Sequence, residues 1–282
     1  DITSHYDTAI FNYFNSDNKI NSFKQSYRSI RPLRYGENPH QKGVFLGNLD
    51  EMLTQLHGKE LSYNNLVDID AAIDLIAEFE TTTPAFAILK HTNPCGVAVA
   101  NTAQEAYLRA LQADTISAFG GVIITNSEID TPTAEQLNQL FFEVLIAPAY
   151  QTAALEILKS KKNRILLVQK QARGTARQFK SLLNGAIAQD KDIRIETEND
   201  FTYCTIRRPT EQEVTDLLFA NKIVKHTKSN AIVLVKNGQM LSSGVGQTSR
   251  VDALQQAIEK AKKFGFELKG GVMASDAFFP FP

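Results

Sequence analysis

Ala87-Ile88-Leu89-Lys90-His91-Thr92-Asn93-Pro94-Cys95-Gly96-Val97-Ala98-Val99 is the stretch from which the rest of the chain is read. A short apolar run delivers a cation and an imidazole to its end. Pro94 disfavours helix at Asn93, so Lys90–Gly96 is expected to be a strand end and loop, with strand resuming at Val97–Ala100. Strand ends beside rigid loops are where α/β proteins place chemistry. A histidine moves protons near neutral pH, and an adjacent lysine stabilises or protonates a developing anion. Adjacent strand residues point to opposite faces, so both side chains reach one substrate only if the backbone turns there. Taken alone, the dipeptide reads more simply as a surface Lys-His at a strand end.

On the N-terminal side, Tyr6, Ile10, Phe11 and Phe14 share one helical face within residues 4–15, followed by a polar break. Residues 23–35 lack a helical period and read as extended. They lead to Arg34-Tyr35-Gly36-Glu37-Asn38-Pro39-His40. Arg34 offers a planar fork suited to phosphate or carboxylate, and Tyr35 adds a hydroxyl; a surface turn is the equal alternative. A strand at 43–47 and a helix at 50–57, stopped by Gly58, are expected next. Residues 61–66 read as a loop, with Asp68 capping a helix that carries Ile69, Ala72, Ile73, Ile76 and Phe79.

On the C-terminal side, helix 102–113 leads to Ile116-Ser117-Ala118-Phe119-Gly120-Gly121, where two glycines admit a ligand close to the backbone. Neither G-x-x-x-x-G-K nor G-x-G-x-x-G is present, so this is no phosphate loop. Strand 122–125, helix 132–142, strand 143–148, helix 150–160 and strand 164–168 complete an alternating first half. Thr210-Glu211-Gln212-Glu213 is a capping box opening a helix. Lys225-His226-Thr227 then repeats the opening tripeptide 135 positions on, again before an apolar run, which suggests a duplication and two similar lobes. Asn237-Gly238 is a hairpin turn. Ser249 caps a final helix, at whose N-terminus Arg250 opposes the helix dipole and so is expected to serve a ligand or an ion pair.

The sequence has 282 residues, 43% apolar and 22% charged, as in ordinary globular proteins. Thirty basic against 31 acidic residues give a net charge of −1, which exerts no global pull toward nucleic acid or anionic membrane. No apolar run approaches the ~20 residues of a membrane span. Cys95 and Cys204 lack metal-type spacing and fit a reducing cytoplasm. Asp1 is not a natural start, and the chain stops on an apolar loop, so further residues are expected at both ends.

Five motifs occur together and in order: Arg34–His40, Lys90–Gly96, Ser117–Gly121, Ser229-Asn230 with Gly246–Val251, and Ala274–Phe281. Together they resemble the formyltransferase domain of the bifunctional purine biosynthesis enzymes, AICAR transformylase/IMP cyclohydrolase. The resemblance implies an α/β fold of two duplicated cytidine-deaminase-like α/β/α lobes without zinc. On that division residues 1–20 end the cyclohydrolase domain and its linker, 21–169 form the first transformylase lobe, 170–200 a junction, and 201–282 the second lobe, incomplete at its C-terminus. It further implies a cytoplasmic homodimer with active sites at the interface. The reaction would move a formyl group from 10-formyltetrahydrofolate to the 5-amino group of AICAR, within a parent protein that also makes IMP.

By the same resemblance, Lys90 and His91 are the catalytic pair and Asn230 holds the formyl oxygen. Arg34 and Tyr35 bind the nucleotide phosphate across the interface. Phe119 and Gly120 line the carboxamide, Glu143 faces the ribose, and Phe278 stacks on the imidazole. Arg250, Val251, Pro280 and Phe281 face the folate. The zinc-deaminase signature is absent, since Pro94-Cys95 has no second cysteine three residues on. Two alternatives stand beside the transferase: a zinc-dependent deaminase of the same fold, and an inactive nucleotide-binding fragment.

Overall fold

The computed structural model describes residues 2–15, 22–171 and 177–278. The chain runs α1 (Ile2–Phe14), β1 (Ile30–Pro32), β2 (Val44–Leu46), α2 (Leu49–Met52), β3 (Leu53–His57), α3 (Tyr63–Ile76), β4 (Ala85–Lys90), β5 (Asn93–Val99), α4 (Ala103–Gln112), β6 (Val122–Thr125), α5 (Thr131–Leu137), β7 (Val144–Ala147), α6 (Thr152–Lys159) and β8 (Ile165–Gln169). It continues with an exposed hairpin, β9 (Arg177–Leu182) and β10 (Gly185–Asp190), then α7 (Glu211–Lys225), β11 (Ile232–Lys236), β12 (Gln239–Gly244), α8 (Arg250–Lys263) and β13 (Val272–Ser275).

Two duplicated cytidine-deaminase-like lobes are not what this arrangement forms. Among the described residues, nine strands make one mixed sheet in the order β13-β11-β12-β5-β4-β6-β7-β8-β3. The halves meet where β12 pairs antiparallel with β5, Gln239 opposite Ala98. Val99 N–H donates to Gly238 O at 3.0 Å, and the Arg109 guanidinium donates to Val99 O at 2.8 Å and to Asn237 O. Asp216, buried on α7, accepts from the N–H groups of Asn237 and Gly238 at 2.7 and 2.8 Å, which satisfies its charge and fixes the expected hairpin turn.

The core explains why the halves fuse. Alternate strand residues face opposite sides of the sheet. Leu89, Val122, Val144 and Val233 point to one side, where they join Ile69 and Ile73 of α3 with Phe219 and Ile223 of α7 in a single cluster. Phe79 and Phe219, one from each half, have ring centroids 5.4 Å apart. Burying a side chain of this size contributes about 1.5–3 kcal/mol, so separating the halves would expose much of their shared core. On the other side, α4, α5 and α6 cover Phe86, Ile88 and Leu145, and α8 covers Ile232 and Leu234. At Gly96 a Cβ would lie 2.0 Å from Ala110 O, so glycine lets α4 seat directly on β5.

The repeated Lys-His-Thr is a likeness of sequence without a likeness of structure. Lys225 closes α7 and His226 is its C-cap, and both reach the buried carboxylate of Glu78 at 3.2 Å. Other expectations also change. Leu53–His57 is strand rather than the end of a helix, because its backbone pairs with β8. Helix α3 starts at Tyr63 behind a capping box of Ser62 and Asn65, which leaves Asp68 inside the helix. Asn93–Gly96 belong to β5, so the expected loop contracts to two residues, His91 and Thr92.

Candidate functional site

Strand pairing collects the site residues at one end of the sheet. Leu89 of β4 pairs with Val122 of β6, and Val122 with Val144 of β7. Ile232 of β11 pairs with Gly244 of β12 and with Ser275 of β13. The end of β4, the starts of β6, β7 and β11 and the ends of β12 and β13 therefore share one edge. Lys90, Gly120, Glu143, Asn230 and Phe278 all lie in or beside those termini.

The turn between β4 and β5 presents His91. Lys90 pairs with Asn93, and the two residues between them take φ of 51° and 66°, the geometry of a tight two-residue hairpin. This is the backbone turn that allows neighbouring side chains to serve one site. Lys90 turns toward the glycine loop, where its Nζ donates to Phe119 O at 2.5 Å. Gly120 has φ of 70°, which favours glycine, and a Cβ there would lie 3.1 Å from that ammonium, so a larger residue would also crowd Lys90. Phe119 is 61% exposed and contacts Phe141, centroid to centroid 5.0 Å.

A second group surrounds Glu143. Its Oε2 takes an ion pair from Lys59 at 3.0 Å and a hydrogen bond from Asn65 Nδ2 at 3.3 Å. Burial pushes this carboxyl up, but Lys59, Asn65 and the charge of Arg34 outweigh it and hold it below the usual carboxylate range. Glu143 is thus ionised and purely an acceptor, suited to hydroxyl donors. Arg34 stacks on the Tyr35 ring at 4.7 Å and donates to its hydroxyl at 2.9 Å. Beside them lies a cleft of ≈480 Å³ lined by Lys59, Phe141, Glu143 and Arg164 among others.

The third group is built around Asn230. Its Nδ2 donates to Gln247 O at 2.9 Å, and its Oδ1 accepts from Arg250 Nη2 at 2.7 Å, which fixes the amide orientation. Arg250 also donates to Ser275 Oγ at 2.9 Å and pairs with Asp276. The expected ion pair of Arg250 is therefore found, and it shares Arg250 with Asn230. Val251 follows on the first turn of α8, 55% exposed, and Phe278 stands 82% exposed just past Asp276. Pro280 and Phe281 lie outside the described residues.

Sequence reasoning missed the residues that support these groups. Asn65 and Asp68 stand three apart on α3; Asn65 donates to Glu143, and Asp68 Oδ1 accepts from Thr92 N–H at 2.7 Å. Polar residues at i and i+3 along an otherwise apolar stripe were the available signal. Asn93 was visible only as a turn residue. Cys95 is buried, donates to Ile88 O at 3.3 Å, and has its thiol pushed up to about 12 by burial. Such a thiol is a poor thiolate ligand or nucleophile. The described residues contain no group of three or more His, Cys, Asp or Glu placed to hold a metal ion, and no helix among them is long and apolar enough to cross a membrane.

A family model described as the AICARFT/IMPCHase bienzyme matches residues 1–260. The chain is 62% identical over 281 residues to the bifunctional purine biosynthesis protein PurH of Bacteroides thetaiotaomicron, covering 100% of this chain and 55% of that protein. Proteins of the same name from Chlorobium phaeobacteroides (strain BS1) and Aquifex aeolicus are each 46% identical, over 99% of this chain and 56% of their own length. The chain thus spans about half the length of the curated relatives it matches. It belongs to the AICARFT/IMPCHase bienzyme family.

Proposed function

We propose that this chain carries the formyltransferase site of the bienzyme. It transfers a formyl group from 10-formyltetrahydrofolate to the 5-amino group of AICAR, and its whole parent protein also closes the product to IMP. The observation that carries this reading is the convergence of Lys90 and His91 with Gly120 and Glu143 at one sheet end.

The AICAR amine is conjugated with its ring and is a poor nucleophile, so it must lose a proton as it attacks. His91, on its exposed turn, takes that proton as the amine nitrogen bonds to the formyl carbon. Lys90 stabilises the oxyanion, with the amide of Asn230 holding the same oxygen. The bond from the formyl carbon to the folate nitrogen then breaks, and that nitrogen receives the proton that His91 took, which returns the imidazole to its starting state. Arg34 and Tyr35 hold the phosphate, Glu143 the ribose hydroxyls, Phe119 and Gly120 the carboxamide, and Phe278 stacks on the imidazole. Arg250 and Val251 face the folate. The exposed rings of Phe119 and Phe278 support a homodimer whose interface covers this open sheet end.

His91→Ala in the full-length protein tests the reading. Formyl transfer should fall by about 10²–10⁴-fold, the usual contribution of such a base. AICAR affinity should stay within roughly tenfold, because the base acts mainly in the transition state. A variant that kept more than about a tenth of kcat would remove His91 from the mechanism.

A further inference from the structure

We propose that Asp68 is the positioning residue of the catalytic turn: from the middle of α3 it holds the Thr92 N–H, and with it the left-handed pair His91–Thr92 that presents the imidazole. This rests on the assignment of His91 as the base.

Two successive non-glycine residues with positive φ are uncommon, and a β-branched threonine at φ 66° is strained. Such a conformation persists only where the surroundings over-determine it. Antiparallel pairing of Lys90 with Asn93 fixes the ends of the turn. Inside it, Thr92 Oγ1 donates to His91 O at 2.6 Å and Asn93 Nδ2 donates to the same oxygen at 2.8 Å, so both act on the carbonyl side. The N–H of Thr92 goes to Asp68 Oδ1 at 2.7 Å, 24 residues away in sequence and on a different element. Asp68 thus anchors the turn to α3, whose apolar face is part of the sheet core through Ile69, Ala72, Ile73 and Ile76.

The charges facing Asp68 fit this role. Lys90 and His91 on the turn attract its carboxylate, and Glu143 across the site repels it. Burial nevertheless pushes its carboxyl above the ordinary range, with the Thr92 N–H pulling the other way. A partly buried carboxylate that makes a short bond to a strained turn points to a structural demand at that position.

The test uses Asp68→Ala and Asp68→Asn in the full-length protein, with kcat, KM for AICAR and the hydrogen-exchange protection of the Thr92 amide read on each. Asp68→Ala should lower kcat by roughly 10- to 100-fold with KM changed less than about threefold, and should lose the Thr92 protection. Asp68→Asn keeps an acceptor oxygen at the same place and should restore both to within about threefold of the parent. Unchanged protection or unchanged kcat in Asp68→Ala overturns the proposal. If Asp68→Ala does not fold, Asp68→Asn decides alone: retained protection and kcat support the proposal, and loss of either overturns it. Because amide protection is read without turnover, failure of the Asp68 role is separable from failure of His91 as base, which His91→Ala reports.

Discussion

Asn93 Oδ1 accepts the backbone N–H of Lys228 at 2.9 Å, although 135 residues separate them. The amide nitrogen of the same side chain donates to His91 O at 2.8 Å. Lys228 O in turn accepts from Gly246 N–H at 2.8 Å, and the next residue, Gln247, accepts at its carbonyl from the Asn230 amide at 2.9 Å. One side chain therefore ties the histidine turn of the first half to the asparagine group of the second.

Asn93→Ala removes both bonds. Net contributions of about 0.5–1.5 kcal/mol per hydrogen bond are typical, and these are solvent-accessible, so a loss of roughly 1–2 kcal/mol is expected in urea unfolding. Formyl transfer should fall further than stability alone explains, because the two groups lose their common reference. Wild-type kcat in a measurably destabilised variant would show that the bridge is structural only.

The Arg250–Asp276 pair predicts an acid-sensitive seam. Burial raises the Asp276 carboxyl, but the Ser229 hydroxyl, the Ala231 N–H at 2.8 Å and Arg250 together hold it below its unfolded value of 3.8. A carboxylate with a lowered folded pKa adds stability that is present above the unfolded value and lost as pH falls through the folded one. Arg250→Gln should therefore unfold at lower urea than the parent at pH 6, and the gap should narrow as pH drops below about 4. A gap of the same size at pH 3 would mean that Arg250 stabilises by packing and not by charge.

What could be read in the sequence was local. The capping box at Thr210 and Glu213, the Asn237-Gly238 turn and the Ser249 cap depend on neighbours within four residues, and all three form. What could not be read depends on partners far along the chain. Leu53–His57 has the spacing of a short helix stopped by Gly58, and only β8 makes it a strand. Ser62-x-x-Asn65 lacks the glutamate or glutamine of a common capping box, so the sequence places the cap at Asp68, which in fact lies inside α3. Lys90 and Gly120 stand out by residue type, whereas Glu143 and Asn230 were reached only through the family resemblance. Their supports, Asn65 and Asp68, act across 78 and 24 residues, and their only local signal is two polar residues three apart on an apolar helix. The second Lys-His-Thr misled in the opposite sense, since a tripeptide fixes neither a strand end nor a lobe.

Which chain's site Arg34 serves is open to a direct test. The family likeness implies that it reaches across the interface of a homodimer. In this structure its charge acts on Glu143 of its own chain, and Glu143 and Lys90 both act on Asp68. A charge-assisted phosphate contact is worth about 1.5–3 kcal/mol, so Arg34→Ala should weaken AICAR binding by roughly 10- to 150-fold. The decisive measurement mixes Arg34→Ala with His91→Ala in full-length protein under subunit exchange, at an AICAR concentration too low to saturate the Arg34 variant. With Arg34 acting in its own chain, every site of a mixed dimer carries one defect, and no activity should return. With Arg34 acting on the partner, one site takes both defects and the other neither. About half of randomly mixed dimers would then hold one intact site, and roughly a quarter of parental activity would reappear. Recovery near that level, with exchange verified by mass, would reassign Arg34 to the partner's site.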